Sequence, residues 1–134
     1  MSHLPLLALL LAAATPLALD ELPPQNLARG SCALFLWDRA SQQRVVMATA
    51  APAQIMVMRR GKPVLLARAE SSGTAVLGFA PHATYGDGAA QIALDITVVP
   101  AEGGGGVVHD GAITVTAGDG SSIVAPVAGI IGCA

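Results

Sequence analysis

Cys32 and Cys133 are the only cysteines in this chain of 134 residues, and they stand at the two ends of everything beyond an apolar leader. A bridge between them ties the start of a domain to its end. It admits only folds in which the first and last segments meet, and it points to an oxidising compartment, where disulfides persist.

The leader has to be set aside before the fold is read. Residues 4–11 are Leu-rich, broken only by Pro5, and Ala12, Ala13 and Ala14 supply the small residues of a signal-peptidase site. Residues 1–14 are therefore expected to be a cleaved signal peptide, with cleavage up to about residue 19 as the later limit. The uncharged stretch 2–19 contains Pro5 and Pro16 and falls short of the roughly 20 apolar residues of a spanning helix, so no stable membrane span is expected after cleavage. A lipid anchor on Cys32 is excluded. Arg29 occupies the place where lipoprotein processing wants an aliphatic residue, and Asp20, Glu21, Gln25 and Asn26 separate the apolar core from the cysteine. The expected location is periplasmic or secreted.

The rest of the chain is long enough for one domain with a real core. Residues 20–30 read as an extended lead-in and 31–134 as a single β domain. The apolar residues are mostly Ala, Val, Leu and Ile, and the aromatics are limited to Phe35, Trp37, Phe79 and Tyr85. Such a chain is too apolar for disorder and too poor in aromatics for the girdles of an outer-membrane barrel.

Turn signals recur at short spacing, and no segment has a helical period. Strands are expected at 31–37, 44–50, 54–60, 63–69, 74–79, 91–98, 107–116 and 122–131. Gly61-Lys62 suits a two-residue II′ hairpin turn. Residues 81–90 read as the longest irregular piece of the first part, and Pro126 argues for a bulge or an edge in the last strand. The fold class is all-β and antiparallel, an up-and-down barrel or sandwich of about eight short strands. An even number of strands places the start of the first beside the end of the last, where the two cysteines lie, and this favours closure into a barrel. The first, third and fourth strands carry apolar residues on both faces. Either their outer face is covered by the N-terminal segment, or it is offered to a partner, or the barrel is irregular and the faces slip by one residue.

Charge is partitioned along the chain. Arg29, Arg39, Arg44, Arg59, Arg60, Lys62 and Arg68 all precede residue 70, whereas Glu70, Asp87, Asp95, Glu102, Asp110 and Asp119 come later with no further Lys or Arg. The basic set lacks interleaved aromatics and the protein is exported, so nucleic acid is not an expected partner. Arg59, Arg60 and Lys62 surround one hairpin tip and are the candidate protein contact.

Other patterns carry weaker chemistry. His82 and Asp87 (with Tyr85) in one loop, and His109 and Asp110 ahead of the seventh strand's alternating part, are metal-ligand types without metal-ligand spacing. Ser121 and Ser122 lack a nucleophile elbow. Gly103 to Gly106 lack the lysine and helix of a phosphate loop. Met47, Met56 and Met58 are explained by core packing. No cofactor or catalytic residue is assigned. The size, leader, short strands and terminal bridge resemble small exported bacterial β-domains such as periplasmic inhibitors of proteases and of lysozyme, and no residue of theirs can be laid onto this chain. The expected function is that of a non-catalytic protein-binding or envelope-structural module. A small barrel carrying an apolar ligand and an inhibitor-like domain are the alternatives.

Overall fold

A computed structural model describes residues 17–87 and 90–134. The signal peptide expected at 1–14 lies outside the described residues. The strands are β1 (Cys32–Asp38), β2 (Arg44–Ala50), β3 (Ala53–Arg59), β4 (Lys62–Ser72), β5 (His82–Asp87), β6 (Ala90–Ile96), β7 (Val99–Pro100), β8 (Gly106–Ala117) and β9 (Ser122–Cys133). Among the described residues no helix is long and apolar enough to cross a membrane.

All pairings are antiparallel. The order β6-β5-β4-β3-β2-β1-β9-β8 closes on itself through β6–β8, giving an eight-stranded up-and-down barrel. The short β7 pairs with β8 just beyond the stretch that β6 occupies. The fifth strand is displaced from its expected position. Residues 74–79 instead form a tight turn in which Val76 and Phe79 exchange backbone hydrogen bonds, and β5 runs through the segment expected to be a loop. The short polar alternation of 82–87 conceals a strand whose Ala83 and Tyr85 face the core.

The first and last long strands meet as the cysteines require. Cys32 lies opposite Cys133 and is bridged to it, and the ladder continues without interruption to Asp38 opposite Val127. Gly129 sits on this seam with its α-carbon turned inward. A Cβ there would strike the Phe35 carbonyl oxygen and Leu36 Cδ2, so the close approach of β9 to β1 requires glycine.

Alternate residues fill the interior, among them Leu34, Leu36, Val46, Ile55, Val57, Ile92, Leu94, Ile113 and Val127. An apolar interior is the reverse of the polar lumen of a transmembrane barrel. A bulge in the β1–β2 pairing sets Arg44 opposite Trp37, and consecutive residues Val45 and Val46 both enter the core. Pro126 fits because its carbonyl accepts from Arg39 N–H on the side where β1 has ended, so its missing N–H deprives no ladder partner.

The lead-in is part of the wall. The β2–β3 ladder stops at Met47 opposite Met56, and residues 18–22 fill the gap below it. Asp20 N–H donates to the Met58 carbonyl and Leu22 N–H to that of Arg44. Leu17 belongs to the core and Leu22 is buried. From there the lead-in runs to the other end of the barrel, where Gly30 N–H donates to Ala134. Leu19 packs against the same core as Leu17.

This packing has two measurable consequences. Replacing both cysteines by serine should lower the unfolding free energy in urea by about 2–5 kcal/mol, because the bridge spans 101 residues of sequence. A chain starting at Asp20 should be less stable than one starting at Thr15 by about 2–5 kcal/mol, the usual cost of removing a buried leucine side chain. Equal urea midpoints for the two chains would show that Leu17 and Leu19 contribute no packing.

Candidate functional site

Antiparallel alternation gathers the β1–β2, β3–β4, β5–β6 and β8–β9 connections at one end of the barrel, opposite the disulfide. The β3–β4 turn is formed by Arg60 and Gly61, both with positive φ (53° and 76°), between the paired residues Arg59 and Lys62. The turn therefore lies one residue earlier than Gly61-Lys62, and two positive φ values define a I′ rather than a II′ geometry. Asp20 Oδ2 accepts from Gly61 N–H at 2.8 Å and ties the lead-in to this tip.

Two grooves flank the lead-in at this end. One, of about 970 Å³, lies between Glu21, Pro23 and Pro24 and the barrel surface at Trp37, Arg39, Gln42, Arg44 and Ala128. The other, of about 380 Å³, is lined by Leu17 to Asp20 together with Asp38, Ser41, Arg59 and Arg60. Arg44 is held by cation–π contact, its Cζ 5.5 Å from the centre of the Phe35 ring. Arg39 crosses β9 to pair with Asp110 at 3.2 Å. Beneath them Asp38 is buried, accepting from Ala40 N–H and Ser41 Oγ, and it fixes the β1–β2 loop from below.

Lys62 lines neither groove, whereas the hairpin residues Arg59 and Arg60 belong to a larger basic surface that also holds Arg39, Arg44 and Trp37. Sequence reading missed the last three as site residues because they are distant in the chain from the hairpin and only the lead-in's path unites the two groups. The signal available was a lone tryptophan close to Arg39 and Arg44 and the two prolines of the lead-in.

The proposed metal-ligand types are dispersed. His82 and Asp87 stand at opposite ends of β5, and His109 and Asp110 occupy a bulge inside β8 rather than a turn ahead of it. Among the described residues no group of three or more His, Cys, Asp or Glu is placed to hold a metal ion. Met47 and Met56 are not core residues but cross-strand neighbours on the outer wall, in a row that runs from Leu65 through Met56, Met47, Phe35 and Ile130 to Val107.

Register also brings Ser72, His82 and Asp95 side by side on β4, β5 and β6, with His82 Nδ1 2.7 Å from Asp95 Oδ1. These residue types suit acyl transfer. However, the His82 and Asp95 side chains are 61% and 53% exposed, and among the described residues no hydrogen bond joins Ser72 to His82. The depression over them is about 160 Å³. In so open a setting water reaches the trio, which is a surface hydrogen-bonded pair beside a serine.

Among the described residues, two groups titrate away from their ordinary values. Two hydrogen bonds from Ser121, through Oγ and N–H, hold the Asp119 carboxyl below the usual range. Burial pushes the Tyr85 hydroxyl up, opposed in part by the nearby Arg68 charge. Comparison with family models, curated proteins and solved structures gave no match.

Tyr85 is the only tyrosine in the chain, so its titration can be read directly. Its folded-state pKa lies above the unfolded value of about 10, so its contribution to stability is present below pH ~10 and is lost as pH rises through the folded value. Absorbance at the phenolate band should show a midpoint above pH ~10 in the native protein and near 10 in denaturant, with Arg68→Ala raising the native midpoint further. A native midpoint at the denatured value would show that the ring's hydroxyl is not desolvated.

Proposed function

We propose that this protein is an exported, non-catalytic protein-binding module of the periplasm or extracellular space, and that its basic end receives an acidic segment of a partner. The observation that carries this reading is the pair of grooves flanking residues 17–24, which together present Arg39, Arg44, Arg59 and Arg60 beside Trp37. Arginine and tryptophan are the residue types that most often dominate protein interfaces. Clustered cations of one sign steer an oppositely charged partner and select against cationic ones. The disulfide supports an oxidising, exported compartment.

The apolar-carrier alternative draws less support. An eight-stranded barrel is just wide enough for side chains to fill, and the central residues Leu34, Leu36, Ile55 and Ile113 do fill it, while both large grooves lie outside that set.

Poly-glutamate is a suitable probe of the basic end. The bridged protein should bind it in a salt-sensitive manner, and the double variant Arg44→Glu/Arg60→Glu should bind about tenfold or more weakly while keeping its thermal midpoint. Losing two favourable rim charges at ~1 kcal/mol each supports that scale. Equal binding by wild type and variant would refute the basic end as the contact.

A further inference from the structure

The barrel is closed, but its strands are unequal, and closure leaves one corner open. β9 is 12 residues long and β1 only 7. The β1–β9 ladder ends at Asp38 opposite Val127, whereas β9 stays paired with β8 as far as Ser122 opposite Thr116. Residues 122–125 therefore have β8 on one side and no strand among the described residues on the other. Arg39 N–H reaches the Pro126 carbonyl and marks where pairing on that side stops. Backbone groups of alternate residues point to the same side of a strand, so the N–H and C=O of Val124 and Ser122 face this open side with the Pro126 carbonyl.

Unpaired edges are templates for another strand, and proteins usually blunt them with lysine or proline. A similar stretch at the foot of β4, where pairing with β5 covers only Arg68 to Ser72, carries Lys62 and Pro63. Residues 122–125 read Ser-Ile-Val-Ala, with no charge and no proline. Ile123 and Val124 are 37% and 65% exposed, the latter the most exposed large apolar side chain among the described residues.

We propose that this edge pairs antiparallel with the same edge of a second copy, and that the Asp119 turn of each copy enters the basic groove of the other. The inference rests on the reading that the basic end receives an acidic segment, and it names that segment. In an antiparallel pair, residues preceding the edge in one copy run beside residues following it in the other. Residues 118–121 of one copy are thereby carried toward Ala128 and Arg39 of its neighbour, which line the larger groove beside Trp37 and Arg44. A two-fold axis makes this charge contact twice. The turn is preformed: Ala117 and Gly120 close it with backbone bonds, and Ser121 fixes the Asp119 carboxylate in place. The edge is four residues long, bounded by Pro126 on one side and the turn on the other, so the dimer is small and reversible.

Sedimentation velocity on the bridged protein, as recovered after export, tests this across a concentration series at low and high salt. Wild type should shift from monomer to dimer with rising concentration, more readily at low salt. Val124→Lys, at an exposed position where folding is unaffected, should stay monomeric, and Asp119→Arg should weaken association about tenfold. Excess poly-glutamate should dissociate the dimer by competing for the groove. A wild type that is monomeric throughout, or a Val124→Lys protein that dimerises as well as wild type, overturns the edge contact. Dimerisation indifferent to Asp119→Arg overturns the placement of the turn in the groove. A monomeric protein that still binds poly-glutamate through Arg44 and Arg60 overturns the dimer while leaving the basic end as a site for another partner.

Discussion

The structure depends on the ladder between β1 and β9. Seven consecutive residue pairs, from Cys32–Cys133 to Asp38–Val127, turn a meander with two open edges into a barrel. The disulfide restricts the unfolded chain and holds one end of this seam. Gly129 lets the two backbones approach, and Asp38, buried at the other end, anchors the loop that leads into β2. A barrel of eight short strands encloses little more than its own side chains. The surface open to other molecules is therefore the outer wall and the loop ends.

Closure by sequential hairpins has an electrostatic consequence. In a meander each strand lies beside its sequence neighbour, so β1–β4 form one contiguous side of the barrel and β5, β6, β8 and β9 the other. In this order every arginine and the lysine fall on the lead-in, β1–β4 and their loops, beside Asp20, Glu21, Asp38 and Glu70, while the remaining carboxylates fall on the later strands and loops. A Greek-key order would have interleaved them. The Arg39–Asp110 pair forms where the two sides adjoin, across β9. The lead-in lies against β2 and β3, where residues 18–22 replace the missing part of the β2–β3 ladder, bring Asp20 and Glu21 beside the arginines and divide the surface into two grooves.

Much of the fold is legible in the sequence because its determinants are local or terminal. Alternation marks the inward residues of β6 and β8, and Ile92, Leu94, Ile96, Ile113 and Val115 all face the core. Cysteine position indicates closure. Legibility fails where a strand lacks an apolar rhythm. The core contacts of β5 come from a small alanine and a tyrosine among polar neighbours, while the more apolar residues 74–79 form a turn. The hairpin cations are visible as a cluster, but their association with Trp37, Arg39 and Arg44 is not, because it is made by a lead-in whose sequence has the character of a featureless linker.

The sequence by itself determined an all-β chain with an apolar period of two, a covalent tie between its ends and a charge partition along its length. These are properties of residue type and spacing. Only the tertiary structure decided that residues 17–22 complete the wall, and that β9 outruns β1 to leave an unguarded edge. It also decided that the Asp119 turn and the basic grooves lie at the same end. Each depends on strand register and on unequal strand lengths, which are fixed by how side chains from distant segments share one interior rather than by any segment alone.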